Sequence, residues 1–198
     1  MTSNDSTQPG ASQGATLRGV DRLIAHVRGL PAVRMAVVHP CDALSLGGAM
    51  DARDAGVIVP VLVAPEAKLR SVAADAGIDI TGCEIIDAPH SHAAAATAAR
   101  LAGKGDVQAI MKGSLHSDEL LAAILAADAG LRTERRLTHC FIMETASYPR
   151  PFIITDAAIN IAPTLPEKAD IVRNAIELAH VIGVPEPRVA ILAAVETV

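Results

Sequence analysis

Aromatic residues are nearly missing from this chain, with two Phe, one Tyr and no Trp among 198 residues. A core cannot then be built on large rings. Ala, Val, Ile and Leu must fill it, which suits helices packed on a parallel sheet. Cysteine is scarce as well. Cys41, Cys83 and Cys140 lie far apart with no C-x-x-C spacing. That argues against a disulfide framework or a zinc site, and for reduced thiols in the cytoplasm. No apolar run approaches the roughly 20 residues of a membrane span. No basic segment followed by an apolar one opens the chain, so no signal peptide is expected. Positive charge is also lacking. The net charge is -5, so no broad basic field draws the chain to nucleic acid. Arg132, Arg135 and Arg136, with Glu134 among them, make too short a run for a nucleic-acid footprint and suit a small anion better.

What remains is an ordinary globular composition, 51% hydrophobic and 20% charged. Residues 1–17, rich in Ser, Thr, Gln, Gly and Asn, read as a disordered tail. Gly19 to Gly29 reads as a helix with Val20, Leu23, Ile24 and Val27 on one face. The runs Val33–Val38, Val57–Val63, Glu84–Asp87 and Val107–Met111 read as buried strands. Helices over about 42–55, 66–76 and 91–102 connect them. Strand and helix alternating through short links is the signature of an α/β fold with a mainly parallel sheet. Gly47 and Gly48 inside the second helix imply a close approach, either to the sheet or to a ligand. After Met111 a helix capped by Ser117 runs to Gly130. Two strands, Thr138–Met143 and Pro151–Thr155, then form a hairpin-like insertion that makes the sheet mixed. Thr164-Leu165-Pro166-Glu167 is a capping box that opens a helix to His180, with Val172, Ala175, Ile176 and Ala179 inward. Val189–Val195 reads as a last strand. The division expected is an α/β subdomain over 18–136 and part of a second subdomain over 137–198.

Chemistry concentrates after the fourth strand. Lys112-Gly113-Ser114-Leu115-His116-Ser117 offers a cation, two hydroxyls, an imidazole and backbone N–H groups at the carboxyl end of a strand. Ligands bind there in open α/β sheets, and such donors suit phosphate or an acyl phosphate. The spacing is not that of a Walker A loop. Asp118 and Glu119 stand nearby and oppose an anion, so a plain polar turn remains the alternative. In Thr155-Asp156-Ala157-Ala158-Ile159-Asn160, Asp156 and Asn160 either contact substrate or cap a turn locally. The three arginines either clamp a phosphate or stay solvated. His90 and His92 lack partners at metal-ligand spacing, and Cys41 reads as a buried thiol rather than a nucleophile.

Several ordered motifs together resemble one family. Met111–Ser117, Gly130-Leu131-Arg132-Thr133, Thr155–Pro163 and Val189–Val198 are similar to the phosphate acetyl/butyryl transferases. Val38-His39-Pro40-Cys41-Asp42 with Pro60–Val63 resembles the transferase half of proteins fused to an enoyl-CoA hydratase domain. The resemblance covers about residues 20–198. It implies a three-layer α/β/α fold like that of isocitrate and isopropylmalate dehydrogenases, usually dimeric, with a cleft between two subdomains. It implies transfer of an acyl group between coenzyme A, as a substrate, and inorganic phosphate, with no metal. Lys112, Gly113, Ser114, His116, Ser117, Arg132, Thr133 and Asn160 carry over as substrate-binding residues. Family members are longer, and the portion bearing the family's Ser-Arg pair and aspartate base is expected to have no counterpart here. Asp156 is the one local aspartate nominated as catalytic base in its place. The competing expectation is a catalytically incomplete module that binds CoA or phosphate.

Overall fold

The computed structural model describes residues 19–192 apart from Ala146. The tail expected over 1–17 and the end of the expected last strand lie outside the described residues. Four strands, β1 (Val33–Val38), β2 (Ile58–Ala64), β3 (Glu84–Asp87) and β4 (Ala109–Lys112), form one sheet in the order β3-β2-β1-β4, every neighbouring pair parallel. Helix α1 (Gly19–Val27) precedes it, with Leu23, Ile24 and Val27 half-buried. Helices α2 (Ala43–Asp54), α3 (Glu66–Ala76) and α4 (Ser91–Lys104) supply the crossovers, and α5 (Ser117–Ile124) follows β4.

The period of two along a strand splits the core into two layers. Val37 and Leu62 face α2 and α3, packing with Leu46, Met50, Leu69 and Ala73. Ala36, Val38, Val61 and Val63 face the other way, onto Ala94, Ala95 and Ala98 of α4 and Leu120 of α5. Both faces of the central strands are therefore dry, which is why they read as unbroken apolar runs. The alanine face of α4 lets that helix lie close to the sheet. Gly103 extends the fit, because a Cβ there would stand 1.9 Å from the Ala129 carbonyl oxygen.

Gly47 and Gly48 do not mark the close approach expected of them. A Cβ on Gly47 meets only the tip of Ile78 at 3.9 Å, and one on exposed Gly48 meets nothing. Helix α5 ends at Ile124, short of Gly130. A 3-10 turn, Ala127–Ala129, fills the gap, and Gly130 closes that turn with φ of +70°. Gly130 is thus a stop signal for the turn and not for the helix. The hairpin exists, as β5 (Phe141–Thr145) paired antiparallel with β6 (Tyr148–Ile154). It forms its own two-stranded sheet and does not join the parallel one.

Helix α6 (Leu165–Val181) starts at the expected capping box. Glu167 accepts from the backbone N–H of Thr164 at 2.8 Å and from its hydroxyl at 3.0 Å. Ile171 and Ala179 are its buried residues, with Val172, Ala175 and Ile176 half-buried. Residues 189–192 are not strand. Val189, Ile191 and Leu192 are exposed, with no neighbouring strand among the described residues to accept their ladder bonds.

The two helix glycines make a paired prediction. Gly48→Ala removes backbone freedom at no steric cost and should raise stability by about 0.5–1 kcal/mol. Gly103→Ala forces α4 off the 3-10 turn and should lower it by about 2 kcal/mol or more. Urea denaturation of the two variants, read as midpoint shifts of opposite sign, checks both.

Candidate functional site

The strand order sets where the site lies. The chain runs outward from β1 to β2 and β3, then returns to place β4 on the other side of β1. That reversal makes the carboxyl ends of β1 and β4 the topological switch point, where α/β sheets bind ligands. The loop after β1 (His39 to Asp42) and the loop after β4 (Gly113 to His116) meet there.

They meet backbone to backbone. Gly113 donates its N–H to Val38 O at 2.9 Å, and Ser114 donates its N–H to His39 O at 2.9 Å. A Cβ on Gly113 would lie 2.4 Å from Val38 O and 2.7 Å from His39 O, so only glycine fits. The Ser114 hydroxyl donates to His39 O at 2.9 Å and accepts from the Cys41 N–H at 3.1 Å. The His39 ring closes the knot, with Nδ1 lying 3.0 Å from Ser114 O. A carbonyl only accepts, so Nδ1 is the donor in this bond. His39 is buried and holds φ of +51°, an uncommon conformation for a residue with a side chain. In the sequence, His39 stood only within the Val38–Asp42 motif, with no role of its own. The signal that marks it is a His-Pro pair directly after an apolar strand.

Downstream of the knot, Asp42 caps α2, accepting the Ser45 N–H at 2.7 Å. That backbone bond is the main cause that holds its carboxyl below the ordinary range. Burial pushes the Cys41 thiol up, which suits a packed sulfur and not a nucleophile.

The predicted loop residues divide in two. Gly113 and Ser114 are consumed by the knot. Lys112, His116 and Ser117 are exposed. Among the described residues, the Lys112 ammonium makes only a 3.4 Å contact to Gly113 O. Ser117 is the first helical residue of α5 and not its cap. The cap is His116, in an extended conformation with no side-chain bond into the helix. The leading N–H groups of α5 are therefore left for solvent or a ligand. Asp118 and Glu119 sit in the same first turn. Among the described residues, Glu119 Oε2 is buried with no hydrogen-bond partner, and His92 Nε2 lies 3.9 Å from it.

The second cluster is built differently. Asp156 Oδ1 accepts the His139 N–H at 2.5 Å. Its Oδ2 accepts the Ile159 N–H at 3.2 Å, the Asn160 N–H, and the Asn160 side-chain amide at 2.9 Å. Asn160 also donates to Leu137 O at 3.0 Å. Burial pushes the Asp156 carboxyl up, but the bonds from His139, Asn160 and Ile159 outweigh it and hold it low. A carboxylate so well satisfied is a weak proton acceptor.

Among the arginines, Arg135 pairs with Glu177 at 2.7 Å and Arg136 with Glu167, both carboxylates of α6. Arg132 is exposed and has no such partner among the described residues. Thr133 accepts the Arg135 N–H at 3.2 Å and shapes the turn. Among the described residues, no hydrogen bond or ion pair joins the Lys112–Ser117 loop to Arg132 or to the Asp156–Asn160 turn. A groove of about 580 Å³ between α4 and the 3-10 turn, lined by Ala96, Ala99, Ala126, Arg100 and Asp128, holds none of the predicted residues.

Two substitutions probe these arrangements. Gly113→Ala should unseat β4 from β1 and cost about 2–3 kcal/mol or more by urea denaturation. Asp156→Ala leaves three backbone N–H groups and one Asn160 side-chain bond without their acceptor and should cost about 2 kcal/mol. The Asp156 carboxyl is lower in the folded chain than its ordinary value of about 4. Its stabilisation is therefore complete above that value and lost as pH falls through the lowered one. The acid limb of the stability curve should flatten in Asp156→Ala.

A sequence profile of the phosphate acetyl/butaryl transferase family matches residues 90–198. Phosphate acetyltransferase of Rhizobium meliloti is 56% identical over 90% of this chain, and 56% of its own length is covered. Phosphate butyryltransferase of Clostridium acetobutylicum is 32% identical over 92% of this chain and 60% of its own. A phosphotransacetylase structure from Streptococcus pyogenes superposes with a TM-score of 0.70 at 16% identity, over 83% of this chain and 60% of that one. This likeness speaks for the fold. The chain thus spans a little over half the length of these relatives. With the profile matching more than half of it and relatives of one kind beside that match, the chain belongs to the phosphate acetyl/butaryl transferase family.

Proposed function

We propose that this chain forms one wall of a cleft in which a short acyl group, acetyl or butyryl, passes between coenzyme A and inorganic phosphate. The observation that carries the reading is the switch point of a chain in this family. There the Gly113 knot fixes the loop while Lys112, His116, Ser117 and the uncapped start of α5 stay open to an anion. In the forward direction, the CoA thiolate attacks the carbonyl carbon of an acyl phosphate. A C–S bond forms, the C–O bond to phosphate breaks, and the electron pair leaves with phosphate. Fixed donors lower the cost of the charge gathering there. Lys112 and Arg132 supply cations, and His116, Ser117 and the α5 N–H groups supply hydrogen bonds. Thr133 and Asn160, which also hold their own turns, complete the substrate-binding set in this reading. We leave the base that takes the thiol proton unassigned, because Asp156 would have to surrender the bonds that order its turn.

We further propose two subdomains, 18–136 and 137–198, and a cytoplasmic homodimer that engages neither nucleic acid nor membrane. The net charge and three unpaired thiols support this setting. CoA enters as a substrate, and the reading involves no metal and no resident cofactor. The commitment of Asp156 favours one second reading, a module that binds CoA or phosphate without turnover.

Acetyl phosphate or butyryl phosphate, mixed with CoA and the protein, should yield thioester. Lys112→Ala and Arg132→Ala should each lower kcat/KM by about tenfold or more with an unchanged melting temperature, as befits a lost charged contact. Calorimetric binding of CoA without turnover would favour the module. Neither heat nor product would remove both readings.

A further inference from the structure

Among the described residues, His39 is the only one other than glycine with a positive φ, at +51°. Glycine would hold that backbone with less strain. A strained residue persists where its surroundings over-determine it. The His39 backbone is so held. Its N–H donates to Val63 O of β2 at 2.8 Å, and its carbonyl accepts the N–H groups of Cys41 at 2.8 Å and Ser114 at 2.9 Å. The same carbonyl accepts the Ser114 hydroxyl at 2.9 Å. These bonds tie the two loops together without the imidazole. The ring adds one close bond of its own, from Nδ1 to Ser114 O at 3.0 Å, with the Ser114 hydroxyl 3.4 Å from the same nitrogen.

That bond fixes the plane of the Ser114–Leu115 peptide, with the Ser114 carbonyl turned toward His39. The peptide is trans, so its N–H points opposite to its C=O. The Leu115 N–H is therefore held on the side away from His39. Because β4 is an edge strand, no further strand stands on that side among the described residues. No described residue accepts this N–H. Yet Leu115 is only 8% exposed and packs its side chain into the core. A backbone donor left unpaired on a buried residue is uncommon and calls for a partner.

We infer that His39 is a positioning residue: its ring pins the Ser114 carbonyl and so aims the Leu115 N–H at a phosphate oxygen in the proposed cleft. Released from the ring, this peptide is free to turn over and present a carbonyl, which repels such an oxygen. The inference takes its ligand from the acyl-transfer reading and rests on it to that extent. Phosphate binding, however, is measured without turnover.

Inorganic phosphate is titrated into the isotope-labelled full chain, and the Leu115 amide is followed by NMR. Thioester formation from acetyl phosphate and CoA is measured in parallel. An Asn side chain puts its amide nitrogen where ring Nδ1 stands, and a Gln side chain puts it where Nε2 stands. We expect phosphate to shift the Leu115 amide in the parent chain and in His39→Asn, and to leave it unmoved in His39→Gln. Unchanged amide signals from β1 and β2 check the folding of both variants. In His39→Gln, kcat should fall by about tenfold or more, and it should recover in His39→Asn. A Leu115 amide unmoved by phosphate in the parent chain would overturn the inference even where thioester forms. So would a shift of equal size in His39→Gln. The expected pattern of shifts with no thioester from the parent chain would uphold the inference and count against acyl transfer instead.

Discussion

Everything at the head of the sheet depends on how closely β4 approaches β1. Two backbone hydrogen bonds from Gly113 and Ser114 to Val38 and His39 draw the loops together at a distance that excludes any Cβ. That contact places the Ser114 hydroxyl between His39 and Cys41. It buries the His39 ring, turns Nδ1 toward Ser114 O, and brings Leu115 into the core beside Leu120. The exit direction of α5 follows from it. Lys112 just before the contact and His116 just after it are turned to the surface by the same constraint.

Polar residues near a predicted site can bind a ligand or hold the frame that a ligand meets, and hydrogen-bond bookkeeping separates the two. Ser114, Thr133, Asp156 and Asn160 spend their polar atoms on neighbouring backbone. Among the described residues, His116, Ser117 and Arg132 show no such bond, and Lys112 makes only the 3.4 Å contact to Gly113 O. The arginine run separates in the same way. Arg135 and Arg136 are neutralised by Glu177 and Glu167 across to α6, leaving Arg132 as the open cation of the three among the described residues. The acidic first turn of α5 lowers the anion affinity of its N-terminus.

The apolar residues are spread unevenly between the two parts of the chain. Residues 33–130 bury Val, Ile, Leu and Ala on both faces of a parallel sheet. From Phe141 onward, large apolar side chains, including all the aromatics, are mostly exposed or half-buried. The first part satisfies its own hydrophobic surface and the second does not.

The sequence by itself determined the α/β class, the four parallel strands, the boundaries of β1 and β3 with those of β2 and β4 off by one or two residues, and the capping box of α6. Each of these rests on local periodicity or on a local hydrogen bond. It also pointed to the loop after β4, because strand ends carrying Gly and Lys mark switch points. It misjudged Gly47, Gly48 and Gly130, since a glycine shows that room or freedom is used without showing by what. Tertiary structure alone decided that the hairpin stands apart from the main sheet. It also decided that Val189–Leu192 does not pair among the described residues, and that Ser114 and Asp156 are bound into the frame. Those outcomes depend on which backbone arrives opposite each group, and strand partners many residues away are not written in the local pattern.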